Sequence, residues 1–422
     1  MNSDGSLRIL ILDDDTKRAV DWATFLNDQD GISSSAPGRK EVESIIEKIH
    51  ERRVKGRDTG NTWRAIDCDP IDQADLLIVD YDLLGLDNHG EWTTGAEIAY
   101  TARLVSSVGP ILLVNQHGTN PFDLTMRQTI NSKADWDVGS DQIVNPGLWS
   151  SSGFFGFRPW SWPNLKIEPS RFKKAYEFIK DKLDDPIAIS LGFDTEHTAG
   201  SRHPQREAWA WLGIPTWDTT FRELVVPKPI DKLGEKHRNP AHLIEKDLPI
   251  VEGDNEQIAL ICTSIILRWL ERVVLPNQDT LADAPHLAYQ MPWLLRDWNK
   301  DITWHTLESL GDEAANCFQD ELAAHRFKPA CLFSRPIYWA EEIRENGTLR
   351  KPAEFDFSLV PNLVFREDVS NFGPRQDSIE FPTDLPAVDN RRWISDRDKA
   401  TSIQGSQDVK QVIYEPQSYL LY

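Results

Sequence analysis

Residues 74–83, ADLLIVDYDL, run four apolar side chains, Leu76 to Val79, straight into the carboxylates of Asp80 and Asp82. A run that short, built from Leu, Ile and Val, predicts a strand buried on both faces of a sheet. In an open parallel sheet ligands bind where strands end, and a carboxylate fixed there can hold a cation or attack a phosphoryl group. Residues 7–12 repeat the pattern, an apolar run broken once by Arg8 that stops at Asp13, Asp14 and Asp15. PILLV at 110–114 is a third such run, and it ends at Asn115, Gln116 and His117.

Helical periodicity fills the intervals. Residues 16–28 carry Val20, Trp22, Phe25 and Leu26 at helical spacing with Thr16 as the expected cap, and 39–57 place Val42, Ile45, Ile46 and Ile49 on one face. Residues 95–107 do the same with Ile98, Ala99, Ala102 and Val105, and 122–132 can form a further helix. A weak strand is expected at 31–37 and a short one at 142–144, before Asn145-Pro146, with loops at 58–73 and 84–94. Alternating strands and helices call for an α/β fold, a flavodoxin-like doubly wound parallel sheet at the N-terminus.

With ILILDDD at the first strand, LLIVDYDL at the third, PILLVNQ at the fourth and IVNP at the fifth, residues 7–150 resemble the receiver domain of two-component response regulators. The resemblance implies that Asp13 and Asp14, with Asp80, bind Mg2+, and that Asp80 is the phosphoacceptor. Asp15, Asp82, Asn115 and Asn145 are then the neighbours in the pocket. It also implies a histidine kinase or phosphotransfer protein as a partner. Two positions depart from the family: Asn115 stands where a Ser or Thr is usual, and Asn145 where a Lys precedes Pro. Loss of that lysine removes a cation that would offset phosphoryl charge. The cluster LDDDT also resembles the opening of haloacid-dehalogenase-type phosphohydrolases, with Thr16 one residue early.

A chain of 422 residues is long for one core. The division expected is a receiver-like domain over 1–149, a mainly helical output or interaction domain over 150–335, and a Pro-rich extended arm with short strands over 336–422, packed on the second domain. Residues 150–163, SSSGFFGFRPWSWP, are too aromatic for a free linker and are expected to pack down. Amphipathic helices are expected at 168–185 and 306–327, and residues 257–275 form the most apolar helix, with Arg268, Glu271 and Arg272 marking it as a buried core element. Short strands are expected at 355–357 and 363–365, and Arg391 with Arg392 as a solvated pair.

The formal net charge of −21 excludes general nucleic-acid and membrane-surface binding, although a local basic patch remains compatible with it. The N-terminus has no basic leader, and a cytoplasmic location is expected. Four cysteines, Cys68, Cys262, Cys317 and Cys331, lie far apart and are expected as free thiols. The 16 Trp are expected in core and interface packing. In 192–204, GFDTEHTAGSRHP gathers Asp194, Glu196, His197 and His203, a candidate second site for metal or acid–base chemistry.

The function expected from all this is a cytosolic signalling or regulatory protein whose receiver-like domain serves phosphorylation-dependent or constitutive protein–protein interaction. Its contact would be the helix at 95–107 or the face beyond Asn115, with another protein or a second copy as partner. The alternatives are a hydrolase or phosphotransfer enzyme with a site in 151–335, and a structural subunit of a larger assembly.

Overall fold

The three apolar runs become the adjacent middle strands of one sheet. The computed structural model describes residues 6–59, 64–83, 85–86, 94–115, 134–150, 156–160, 162–194, 202–204, 206–212, 218–226, 254–381 and 392–396. In it β1 (Leu7–Leu12), β2 (Ile32–Ser35), β3 (Leu76–Asp80), β4 (Ile111–Val114) and β5 (Trp136–Val138) lie in the order β2-β1-β3-β4-β5. Every neighbouring pair is parallel. This is the flavodoxin-like order, and all of β3 and β4 is buried, as continuous apolar strands require.

The strand period of two sorts side chains between the faces. Ile9, Ile11, Leu76, Ile78, Leu112 and Val114 point to the side covered by α1 (Thr16–Asn27). Leu10, Leu12, Leu77, Val79, Ile111 and Leu113 point to the other side, under α2 (Arg39–Thr59) and α4 (Gly95–Val105). The single turn α3 (Asp69–Asp72) lies in the connection before β3.

Two local expectations are corrected. The cap of α1 is Asp15, whose carboxylate accepts from the N–H groups of Lys17 and Arg18, rather than Thr16. The fifth strand is WDV at Trp136–Val138, not 142–144. Residues Ser140–Gln142 and Pro146–Leu148 are instead 3-10 turns, and Ile143, Leu148 and Trp149 close the α1 face. The helix expected at 122–132 and the face beyond Asn115 lie outside the described residues.

Beyond the sheet, α5 (Glu168–Lys180), α6 (Ile187–Leu191), α7 (Arg206–Leu212) and α8 (Phe221–Val225) precede α9 (Asn255–Trp269), which continues as a π turn, Leu270–Val274. The apolar stretch is thus the central helix, and 12 of the 15 residues of α9 are buried. It packs along α5 and α8 and reaches α4. One apolar cluster therefore runs from the sheet face through α4 into the helical region. This corrects the expected contact surface: α4 buries Ile98, Ala99, Thr101, Ala102, Arg103, Leu104 and Val105 inside the chain's own core.

A buried polar cluster crosses the same junction. Arg103 at the last turn of α4 meets Asp135 at 2.7 Å, the Ser264 hydroxyl of α9 donates to the other Asp135 oxygen at 2.5 Å, and Arg272 donates to the Asp135 carbonyl. The Ile111 N–H also donates to the Asp135 carboxylate at 2.7 Å, which fixes it beside β4. The Gln257 amide donates to the Arg103 carbonyl at 2.7 Å. Ser264→Ala should therefore lower unfolding stability by about 1.5–2 kcal/mol, the worth of a hydrogen bond to a charged acceptor. Urea unfolding of the variant checks this.

In place of the expected helix at 306–327 there are a short helix, Asp312–Asn316, and a 3-10 segment, Asp320–His325, preceded by another short helix, Asp301–Thr306. A two-stranded pair, β6 (Leu281–Asp283) with β7 (Ile337–Trp339), leads into α10 (Ala284–Gln290). The C-terminal region forms a four-stranded sheet, with β10 (Ser378–Phe381), β11 (Arg392–Ser395), β8 (Leu363–Arg366) and β9 (Asn371–Pro374) in that order. The strand at 363–365 is present, whereas Phe357–Leu359 is a 3-10 turn. The apolar end of the chain lies outside the described residues.

Arg392 is not solvated. It is buried on Glu367, reaching its Oε2 at 2.6 Å, and Glu367 also meets His286 at 3.2 Å; His286 in turn contacts Asp283 at 2.6 Å. Trp160 of the aromatic connector is buried too and donates to Asp283. This Asp283–His286–Glu367–Arg392 chain ties α10, the connector and the C-terminal sheet together. The four cysteines are free, Cys68 and Cys262 buried. Among the described residues no helix is long and apolar enough to cross a membrane.

Candidate functional site

At the carboxyl ends of β1 and β3, Asp13 and Asp80 are each 1% exposed, and Asp14 is half-buried beside them. The strands place them there because they are adjacent and parallel, with Leu12 opposite Val79 in register. One oxygen from each of Asp13, Asp14 and Asp80 lies within 4.8 Å of the others. Among the described residues this is the one group of His, Cys, Asp and Glu side chains so arranged.

Two glycines shape the rim. The Gly85 N–H donates to Asp14 Oδ2 at 2.7 Å, and a Cβ on Gly85 would lie 2.2 Å from that oxygen. A Cβ on Gly95 would lie 2.0 Å from the Asp80 carbonyl, so only glycine lets the start of α4 come this close to the end of β3.

The sequence reading missed Arg18. From the first turn of α1 its guanidinium reaches back over the strand ends. Nε meets Asp13 Oδ2 at 2.8 Å, Nη2 meets Asp13 Oδ1 at 2.8 Å, and Nη2 also meets Asp80 Oδ2 at 2.5 Å. The side chain stacks over Trp22, 5.4 Å from the ring centroid, and is 25% exposed. Nothing in the sequence singles it out, since Lys17 stands beside it in the same first turn and the two read as a pair of solvated cations.

Burial is the first cause of the electrostatics. It pushes the Asp80 carboxyl up to about 7, helped by the charge of Asp13 and opposed by Arg18. Burial also raises Asp13, against the hydrogen bonds from Arg18 and the Asp15 N–H. Arg18 is raised by its hydrogen bond to Asp13. Even so, the cation does not satisfy everything: Asp80 Oδ1 is buried with no hydrogen-bond partner.

The other expected pocket residues divide. Asn115 is buried at the end of β4, its N–H bonded to the Val138 carbonyl at 2.9 Å. Asp82 pairs through its backbone with Thr94 across the loop mouth. Asp15 is exposed and spent on capping α1. Asn145 is used elsewhere, accepting from the Gly147 N–H at 2.8 Å and donating to the Phe157 carbonyl at 3.0 Å, so it anchors the aromatic connector. Because the fifth strand ends at Val138, the residue that follows it is Gly139.

In the expected second site, Asp194 accepts from the Arg202 N–H at 2.7 Å, and the His203 ring meets the Asp194 carbonyl at 3.1 Å. These contacts close a loop through backbone groups. Glu196 and His197 lie outside the described residues.

Three carboxylates and an arginine at the strand ends can hold a hard cation, or two of the carboxylates can stay bridged by the arginine. No protein-family model matches this chain, and neither a curated protein nor a solved structure matches it.

Proposed function

We propose that the N-terminal domain is a receiver-like regulatory module. Asp13, Asp14 and Asp80 would hold Mg2+, Asp80 would be the phosphoacceptor, and the remaining chain would be the output or interaction part. The observation that carries this reading is the unpartnered Asp80 Oδ1, buried beside two further carboxylates at the carboxyl edge of a flavodoxin-like sheet. The donor set fits the ion, since Mg2+ takes oxygen ligands and mutual repulsion among carboxylates favours a cation between them. When bound, the ion would neutralise the carboxylates and polarise an incoming phosphoryl group.

The protein's own residues supply the rest. Asp80 offers a fixed carboxylate oxygen as nucleophile. Attack on an acyl phosphate would form an Asp80 O–P bond as the donor's P–O bond breaks, and the donor leaves as a carboxylate. Arg18 supports a second mode. With its guanidinium on Asp13 and Asp80 the site carries its own positive charge, which suits constitutive interaction with a protein partner or a second copy. A histidine kinase or phosphotransfer protein is the partner expected in the phosphorylated mode.

Incubation with acetyl phosphate and Mg2+, followed by intact-mass measurement, tests the assignment. The expected result is the gain of one phosphoryl group, absent from Asp80→Asn. An unchanged mass for the native chain overturns the phosphoacceptor role.

A further inference from the structure

A groove of about 860 Å³ lies in the C-terminal half, far along the chain from the acidic strand ends, and its charge is opposite to that of the whole protein. Arg344, Arg350, Lys351 and Arg375 line it against a single acid, Asp279, in a chain of net charge −21. Arg344 lies 4.0 Å from Asp279. Among the described residues Arg350, Lys351 and Arg375 meet no carboxylate, and two of them rest on aromatic rings instead. Lys351 lies 5.2 Å from the centre of Phe357, and Arg375 lies 4.9 Å from that of Trp393.

The aromatic component is equally out of the ordinary. Phe357 is 54% exposed, although a Phe is usually covered. It is held edge-on to Trp293 at 6.3 Å between centroids, and Trp293 is itself fixed by donating its indole N–H to the Leu349 carbonyl at 2.9 Å. The groove thus offers a half-exposed ring that carries a cation, Lys351, over one face, with Arg350 and Arg375 as further cations that meet no carboxylate among the described residues. The volume is that of a small-ligand cleft.

We infer that this groove binds a small anion carrying a flat aromatic ring, of the nucleotide class, with the ring on Phe357 and the phosphates among Arg350, Lys351 and Arg375. Stacking on an aromatic side chain and charge-assisted hydrogen bonds from arginine are the contacts such a ligand makes. Neither alone uses both features of the groove. The inference is independent of the acidic site, which repels phosphate when no cation is bound.

Calorimetric titration of the full chain with ADP, in the presence of a chelator, tests it. One ADP per chain is expected, with adenosine and pyrophosphate each binding at least about tenfold more weakly because each lacks one of the two contacts. Arg350→Glu combined with Lys351→Glu should weaken ADP about tenfold or more, and Phe357→Ala should weaken it roughly fivefold. Both sites are exposed, and Lys328→Glu, an exposed charge reversal outside the groove, should leave binding unchanged. No saturable ADP binding overturns the inference, as does equal binding of pyrophosphate and ADP. Binding that survives the Arg350/Lys351 reversal overturns it as well.

Discussion

Arg18→Ala, in chelator at pH 8, should destabilise the protein by about 3 kcal/mol, the cost of removing one partner from a largely buried ion pair. Asp13 and Asp80 would then face each other, both 1% exposed, without a cation between them. Asp80→Asn should act in the opposite direction. Burial, then the charge of Asp13, lifts the folded Asp80 carboxyl to about 7, whereas an unfolded Asp titrates near about 4. Between those values the folded state holds a proton that the unfolded state has lost, so stability falls as pH rises through the window and stays reduced above it. Asp80→Asn removes that penalty and should gain on the order of 2 kcal/mol at pH 8, after allowance for the weaker contact with Arg18. At pH 4 the gain should vanish, and the Arg18→Ala loss should shrink there. Urea unfolding of the three proteins at both pH values gives the answer. A loss in Arg18→Ala that is the same at pH 4 and pH 8 would contradict the assignment of buried, mutually repelling carboxylates.

Glu367→Ala should have an effect of similar size, about 3–5 kcal/mol, by leaving Arg392 and one nitrogen of His286 buried without their shared acid. Burial works against every charge in this chain of groups, but the partners outweigh it. Asp283 and then Glu367 hold His286 above its usual range, His286 and Arg335 hold Asp283 below, and Arg392 with His286 holds Glu367 below. The raised histidine contributes stability below about pH 6.5 that is lost as pH rises through its folded value. The lowered acids contribute above about pH 4 and lose that contribution as pH falls through their folded values. The cluster therefore works best between those limits, and unfolding at pH 5.5 should show the largest difference between Glu367→Ala and the native chain. A difference under about 1 kcal/mol would mean that water reaches Arg392 and His286 in the variant.

How far the sequence was legible follows from these residues. The sheet could be read because β1, β3 and β4 are uninterrupted apolar runs, and such runs have few other places to go. β5 was misplaced because its three residues, Trp136, Asp137 and Val138, carry a charge at the centre, while Ile143-Val144 nearby offers a better apolar pair. The broken helices after Asp301 were hidden because each is about a turn long and is stabilised by contacts from elsewhere, which leave no periodic trace. Asp13, Asp14 and Asp80 were legible as strand-end acids. Arg18 was not, because a helical arginine is ordinarily a solvated one, and only the fold turns its side chain back over β1 and β3. The same blindness covered Arg392, whose acid lies 25 residues away in the turn after β8.

The central claim is that the acidic strand ends form a cation site in which Arg18 competes with a metal ion. Calorimetric titration of Mg2+ into the native protein, Arg18→Ala and Asp13→Asn tests it most directly. One ion should bind the native chain, bind Arg18→Ala roughly tenfold more tightly because the competing guanidinium is gone, and bind Asp13→Asn at least about tenfold more weakly. Absence of Mg2+ binding in both the native chain and Arg18→Ala would contradict the claim and leave Asp13, Asp80 and Arg18 as a purely structural ion cluster.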